Sequence, residues 1–260
     1  MSKSNNKALI YAFLLGVLPF MVNGWVNAKI YTNPALFWGF ELFSWVVLPC
    51  IIFGYLFKFQ HLTWDDLGLH SKINHKKNIE LLFFLCLFAV LFTYQLDKIC
   101  NRIAVAFVGN IPEYFTYHSI QPNILILKWL STLYFALSAG IVEELYYRGF
   151  LYKIIKSASH TSLLYLLISP AIFAIAHWEQ GMDGVIASYI FGIFTSLFYL
   201  KFKNLWPLIF GHIVTDYFWF SAWFTSKYSQ LGWGLDLTHN AACNVLRVGN
   251  KVIHPTKLCQ

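Results

Sequence analysis

Seven apolar runs, each close to the ~20 residues a helix needs to cross a bilayer, dominate this chain and fix most of what it can become. They cover about residues 8–28, 35–57, 79–96, 124–147, 161–178, 184–200 and 205–224. Soluble domains carry roughly 25% charged residues, whereas this chain has 12%, with 58% hydrophobic residues and a mean hydropathy of +0.54. Hydrocarbon supplies no water to backbone amides, so apolar runs of this length are helices. The expected fold is all-α, a polytopic transmembrane helical bundle of about seven spans. The expected domains are a membrane domain over 1–224, with a motif core at 124–220, and a polar tail over 225–260. Residues 1–28, with Lys3, Lys7 and the small-residue site Val26-Asn27-Ala28, have the outline of a signal peptide. Pro19, Trp25 and the length of the apolar run argue instead for a retained first helix.

A formal charge of +7 raises the question of nucleic acid. No basic face interleaved with aromatic side chains occurs, so nucleic acid is excluded as a partner, and the lysines fall between the apolar runs. Lys3, Lys7, Lys58, Lys72, Lys76, Lys77, Arg148, Lys153, Lys156, Lys201 and Lys203 fall on one side, and the opposite loops are assigned Lys29, Lys98 and Arg102. That bias predicts a cytoplasmic N-terminus, with the tail outside. The five cysteines show no CxxC or zinc-like spacing. Cys50 and Cys86 read as small core residues, and the spacing gives no support to a disulfide between Cys243 and Cys259 in the tail. Between the second and third runs, Leu62-Thr63-Trp64-Asp65-Asp66-Leu67-Gly68-Leu69 reads as an interfacial turn, capped by Thr63 and ended by Gly68.

Charged residues inside such runs are costly and point to a cavity, a partner or a reaction. The fourth run contains Val142-Glu143-Glu144-Leu145-Tyr146-Tyr147-Arg148. On a helix, Glu144 and Arg148 share a face, acid before base, the better order for an ion pair. Glu143 points about 100° away. Glu144 with Arg148 therefore reads as a brace and Glu143 as a reagent; the alternative is a purely structural ion-pair cluster. His177 closes the fifth run, and His212 and Asp216, four apart, share a face in the seventh. Runs four and five form a hairpin near Ser159-His160, and Glu143 and His177 stand 17 residues either side of His160. They are level across antiparallel helices, ~15 Å deep by helical rise, and His212 lies at a similar depth. An active site between helices near mid-membrane follows. Gly140 and Gly211 permit close backbone approach nearby. The polar turn Gln180–Asp183 is tolerable at this depth only beside a water-filled cavity. Glu41 and Lys128 read as structural charges that pair with each other or snorkel.

A carboxylate and a histidine around one water make a general-base site. No serine or cysteine is placed as a nucleophile and GxSxG is missing. The chemistry expected is water attack on an amide. Glu143 and His177 hold and deprotonate the water, His212 stabilises the oxyanion, and Asp216 fixes the tautomer or charge of His212. Zinc on Glu143, His177 and His212 is the competing account, disfavoured because HExxH is missing and each ligand would come from a different segment. Two readings from other classes stay open: a non-catalytic membrane immunity or binding protein, and a proton-coupled transporter, the latter weakened by the lack of a two-half repeat.

Glu143-Glu144-x-x-x-Arg148, Phe173-x-x-x-His177 and His212-x-x-x-Asp216, in this order on successive helices, resemble the three motifs of the CAAX-processing and bacteriocin-processing (CPBP, Abi) intramembrane protease family. The Asp66-Leu67-Gly68-Leu69 turn is similar too, and the likeness covers about residues 62–220. The resemblance implies a polytopic endopeptidase acting near the C-terminus of prenylated proteins, or on peptides and membrane-anchored substrates, in contact with membrane lipid. The expected setting is a bacterial inner membrane. It further implies that Glu143 and His177 activate the water, that Glu144 and Arg148 support the site, and that His212 with residue 216 forms the oxyanion side. Many members carry Asn where this chain has Asp216, and an ionised Asp cannot donate to an oxyanion. The family has been described both as metalloproteases and as glutamate-type proteases.

Overall fold

The structure, a computed structural model, describes residues 6–69, 76–115, 117–120, 122, 124–159 and 161–228. Among these the chain is helical throughout and forms no strand. Helix α1 covers Asn6–Ile30. Helix α2 (Pro34–Leu42) begins with Asn33, whose side-chain oxygen accepts from the Leu36 amide at 3.2 Å, followed by Pro34 in the first turn, a strong helix start. A π-helical turn, Phe43–Val47, joins it to α3 (Leu48–Phe59). Helix α4 is Lys76–Val108 and α5 is Leu125–Glu143. A second π-helical turn, Glu144–Phe150, leads into α6 (Leu151–Ser159). The hairpin partner α7 is Ser162–Ala176, then come α8 (Gly181–Phe202) and α9 (Trp206–Tyr228). The segments Asn6–Ile30, Pro34–Phe59, Ile79–Val108, Leu125–Ala158 and Trp178–Phe202 are long and apolar enough to cross a membrane, and Ser162–Ala176 is a shorter apolar helix.

The outer surface agrees with lipid. Leu14, Leu15 and Leu18 on α1, Phe83 and Phe84 on α4, and Ile126 on α5 are exposed. A water-facing monomer does not carry apolar patches of such extent. The protein is therefore a multi-pass integral membrane protein with an all-helical bundle fold.

Several expectations change in detail. The third helix does not stop near residue 96 but runs to Val108, so Lys98 and Arg102 lie on α4, and Lys29 lies in the last turn of α1. Their stems lie along aromatic neighbours: the Lys98 ammonium sits 5.2 Å from the Tyr94 ring and that of Lys29 4.9 Å from Trp25. Long basic side chains can snorkel from a helix, which lets the helix outrun the apolar run that betrays it. Cys50 is exposed on α3 and Cys86 only partly covered; Cys100 is the buried thiol. Helices α6 and α7 do form the expected hairpin, although His160 lies outside the described residues. So do Lys3, Lys72 and the tail beyond Tyr228, with Cys243 and Cys259.

The turn after α3 folds as its residues dictate. The Thr63 hydroxyl accepts from the Asp66 amide at 3.2 Å, while Asp66 accepts from the Thr63 amide and hydroxyl, a reciprocal cap. Gly68 ends it with φ 81°, a conformation that costs glycine little. Leu67 is fully buried, the Gly68 carbonyl accepts from the Leu205 amide, and Asp66 pairs with Lys153 of α6 at 2.5 Å. The turn thus clamps the outer end of the second π-helical segment.

Candidate active site

The second π-helical turn carries both halves of the expected brace. A π-turn widens the helix and spoils its regular bonding, and such bulges recur at functional positions. Here every residue from Glu144 to Phe150 is buried. Arg148 lies 3.3 Å from Glu144, donates to Thr195 of α8 at 2.7 Å, and packs 4.3 Å from the centre of the Phe173 ring. A fully buried guanidinium is stable only with this kind of enclosure by acid, hydroxyl and π-face.

Glu144 does more than face Arg148. Its Oε1 is 2.9 Å from His212 Nδ1. A carboxylate paired with arginine is an acceptor, so Nδ1 of His212 carries the hydrogen and Nε2 faces the other way. His212 Nε2 lies 3.7 Å from Glu143 and 3.6 Å from Asp216. The group at His212 Nδ1 is thus Glu144, where sequence reasoning had assigned the tautomer or the charge of His212 to Asp216. Asp216 sits on the Nε2 side, facing the cavity.

His177 occupies the C-cap of α7, where the helix gives way to the short turn Trp178–Gln180. Its Nδ1 is 2.8 Å from the Phe173 carbonyl. A carbonyl only accepts, so Nδ1 donates and the ring turns its Nε2 toward Glu143, 3.9 Å away. Glu143 therefore stands between two imidazole Nε2 atoms at separations too long for direct hydrogen bonds and suited to a bridging water. Its Oε2 is buried without a hydrogen-bond partner.

Two glycines hold α9 in place. A Cβ on Gly140 of α5 would meet the Ile213 amide nitrogen at 2.8 Å, and one on Gly211 would meet the Ala89 carbonyl of α4 at 2.9 Å. The backbones of α5 and α4 thus close on α9 on either side of His212, as the sequence led us to expect of these positions.

These side chains open on a cavity of about 140 Å³, room for several waters. Glu143, His177, His212 and Asp216 line it, as do Glu179 and Gln180 of the polar turn. Sequence reasoning left other roles unread. Phe173, met in the sequence only as part of the Phe173-x-x-x-His177 motif, holds His177 through its carbonyl and Arg148 through its ring. Glu41 accepts from Asn27 at 2.8 Å and lines the same cavity, so it is not an isolated structural charge. Among the described residues no ion pair joins it to Lys128. Asn23, Asp97 and Tyr117 also line it.

Glu143, His177 and His212 are the donors that a zinc ion here would use. Both histidines have Nδ1 engaged and Nε2 inward, the orientation metal ligands adopt. The carboxylate-to-Nε2 separations of 3.9 and 3.7 Å exceed the ~3.3 Å edge of a tetrahedral site with ~2.0 Å bonds. Among the described residues, no three His, Cys, Asp or Glu converge to hold a metal ion.

Compared with known proteins, residues 125–218 match the family described as Rce1-like, type II CAAX prenyl endopeptidase. The matched segment runs from the start of α5 into α9 and contains Glu143, Glu144, Arg148, His177, His212 and Asp216. No curated protein and no solved structure matches the chain.

Proposed function

We infer that this chain, which through residues 125–218 belongs to the CPBP family of CAAX-type intramembrane proteases, is a peptidase that hydrolyses an amide bond inside the membrane with a water held by Glu143 and His177. The observation that carries this reading is the position of the Glu143 carboxylate between the two Nε2 atoms, at 3.9 and 3.7 Å, on a polar cavity within an apolar bundle.

One water hydrogen bonds to the His177 lone pair while Glu143 accepts its second proton. The water oxygen attacks the carbonyl carbon, and the proton passes to Glu143. The oxyanion that forms lies toward His212. Because Nδ1 of His212 already donates to Glu144, donation from Nε2 requires the doubly protonated ring, and Glu143, Glu144 and Asp216 surround that ring with acid side chains. Collapse of the intermediate breaks the C–N bond, and Glu143 returns its proton to the leaving amine. Hydroxyl ends on the acyl carbon and hydrogen on the nitrogen, so the reaction balances as hydrolysis. Arg148 and Glu144 act by positioning. No step calls for a metal.

The substrate in this reading is a peptide or protein segment at the membrane, prenylated or membrane-anchored in keeping with the family. The proposed setting is a bacterial inner membrane with the N-terminus cytoplasmic, and the proposed domain division is 1–224 and 225–260. The test is the mapping of peptide termini in membranes of cells expressing wild-type protein or Glu143→Gln, with the wild-type membranes also incubated with a zinc chelator. New termini that depend on Glu143 and survive the chelator are expected. Identical termini in both strains support a non-catalytic binding protein, and loss on chelation returns zinc to the site.

A further inference from the structure

The cavity is acidic beyond what the reaction uses. Glu41, Asp97, Glu143, Glu179 and Asp216 line it, and among the described residues no lysine or arginine does, in a protein of net charge +7. Two of the five, Glu41 and Glu179, have no part in the proposed reaction. Glu41 projects from α2 and is only 1% exposed. Its Oε1 accepts from Asn27, whose Nδ2 also bonds Asn23, and Asn23 in turn bonds the Tyr117 hydroxyl at 2.5 Å. Glu179 follows His177 in the polar turn, packs against Gly24 of α1 and is 7% exposed. Its Oε2 is buried with no hydrogen-bond partner. Glu41, Glu179 and Tyr117 line the same cavity. A buried carboxyl oxygen without a donor is costly, and two neighbouring acids without a cation are costlier. Asn27 and Asn23 are amides and bring no positive charge. Among the described residues no lysine or arginine lines this part of the cavity, and Glu179 Oε2 stands open to a donor brought by a ligand.

We propose that Glu41 and Glu179 form a specificity subsite for a lysine or arginine side chain of the substrate, a few residues from the bond that is cut. The proposal rests on the peptidase reading for the identity of its ligand as a peptide. A guanidinium or ammonium supplies the donors that Glu179 Oε2 lacks and neutralises the Glu41–Glu179 pair, while the aromatic walls of Phe20, Trp45 and Tyr117 cover the aliphatic stem. The same field repels a carboxylate. A segment with an acidic side chain or a free C-terminal carboxylate in this part of the cavity is disfavoured, so the subsite selects by attraction and by repulsion.

Three acetylated, amidated apolar hexapeptides that differ at one position, Lys, Ala or Glu, serve as probes. Their affinities for detergent-solubilised Glu143→Gln protein are measured by calorimetry, and their cleavage by wild type is followed in parallel. The Lys peptide is expected to bind about tenfold tighter than the Ala peptide, ~1.4 kcal/mol, and the Glu peptide weaker than either. Adding Glu41→Gln and Glu179→Gln, amides of the same shape, is expected to shrink the Lys-to-Ala ratio to about twofold or less; Glu179→Gln alone, in a protein that elutes as wild type, gives an intermediate ratio. Equal binding of the three peptides, or a Lys preference that survives both substitutions, overturns the proposal. Lys-selective binding without turnover leaves the subsite standing and counts against the peptidase; turnover without selectivity does the reverse.

Discussion

Glu144 carries more than one task, and its neighbours show why. One oxygen faces both the Arg148 guanidinium and the His212 Nδ1, at 3.3 and 2.9 Å. Removing its charge while keeping its shape leaves Arg148 buried with Thr195 and the Phe173 ring for company. Breaking a buried pair from one side costs roughly 3–5 kcal/mol. Glu144→Gln is therefore expected to lower thermal stability in detergent strongly, visible as a fall in Tm by scanning fluorimetry; a Tm within a degree or two of wild type contradicts the brace. At this scale the sequence was informative where chemistry is rare in an apolar run. Glu143, Glu144, Arg148, His177, His212 and Asp216 stand out as ionisable groups in hydrocarbon. The Glu144–His212 bond was not legible, because it links residues 68 apart whose rotation depends on the π-turn between them and the loop ends. Phe173 was marked only by the motif it shares with His177; its contacts, through its carbonyl to His177 and its ring to Arg148, come from packing.

At the scale of elements, the site depends on how closely α9 approaches α5. Gly140 lies against the Ile213 backbone, next to His212. Gly140→Leu is expected to push α9 outward; overpacking of this kind costs ~1–3 kcal/mol, and an ångström of misplacement can cost ~10²-fold in rate. The expected outcome is a protein that still elutes as wild type but cleaves at least about tenfold more slowly; unchanged cleavage contradicts the close contact. The second clamp ties Asp66, in the turn between candidate spans, to Lys153 of α6. Burial alone would raise the Asp66 carboxyl, but the Lys153 ammonium and the Thr63 donors outweigh it and hold it below the usual aspartate range. A depressed folded value gives stability that is present above the unfolded pKa and lost as pH falls through the folded one. Asp66→Asn is thus expected to cost at most ~1 kcal/mol at neutral pH, since both partners are partly exposed. Its Tm difference from wild type should shrink below about pH 4; a difference independent of pH contradicts the ion pair. The cap was readable from Thr63 and Gly68, because it is local; the return bonds of Asp66 to Thr63 and its pairing with Lys153 were not. Helix lengths were less so: α4 outran its apolar run because Lys98 and Arg102 remain on a helix whose stems can snorkel.

The whole molecule sets a polar cavity of about 140 Å³ inside a bundle whose outer face is leucine and phenylalanine. The bundle was legible from run lengths alone, since hydrocarbon allows few other structures. The far wall of the cavity was not: Asn23, Glu41 and Tyr117 meet the motif helices only through tertiary packing, and their positions carry no family-like spacing. What unites residue, helix and bundle in the proposed function is a Glu143 carboxylate placed level with two imidazoles, where it would act on a water. The most direct measurement is the cleavage rate of purified wild type and Glu143→Gln on a substrate found by terminus mapping, with the Tm of both recorded in the same detergent. Loss of general-base catalysis is worth ~10²–10⁴-fold. The account predicts a fall in that range with Tm changed by no more than a few degrees; a Glu143→Gln enzyme that cleaves at a rate near wild type contradicts it.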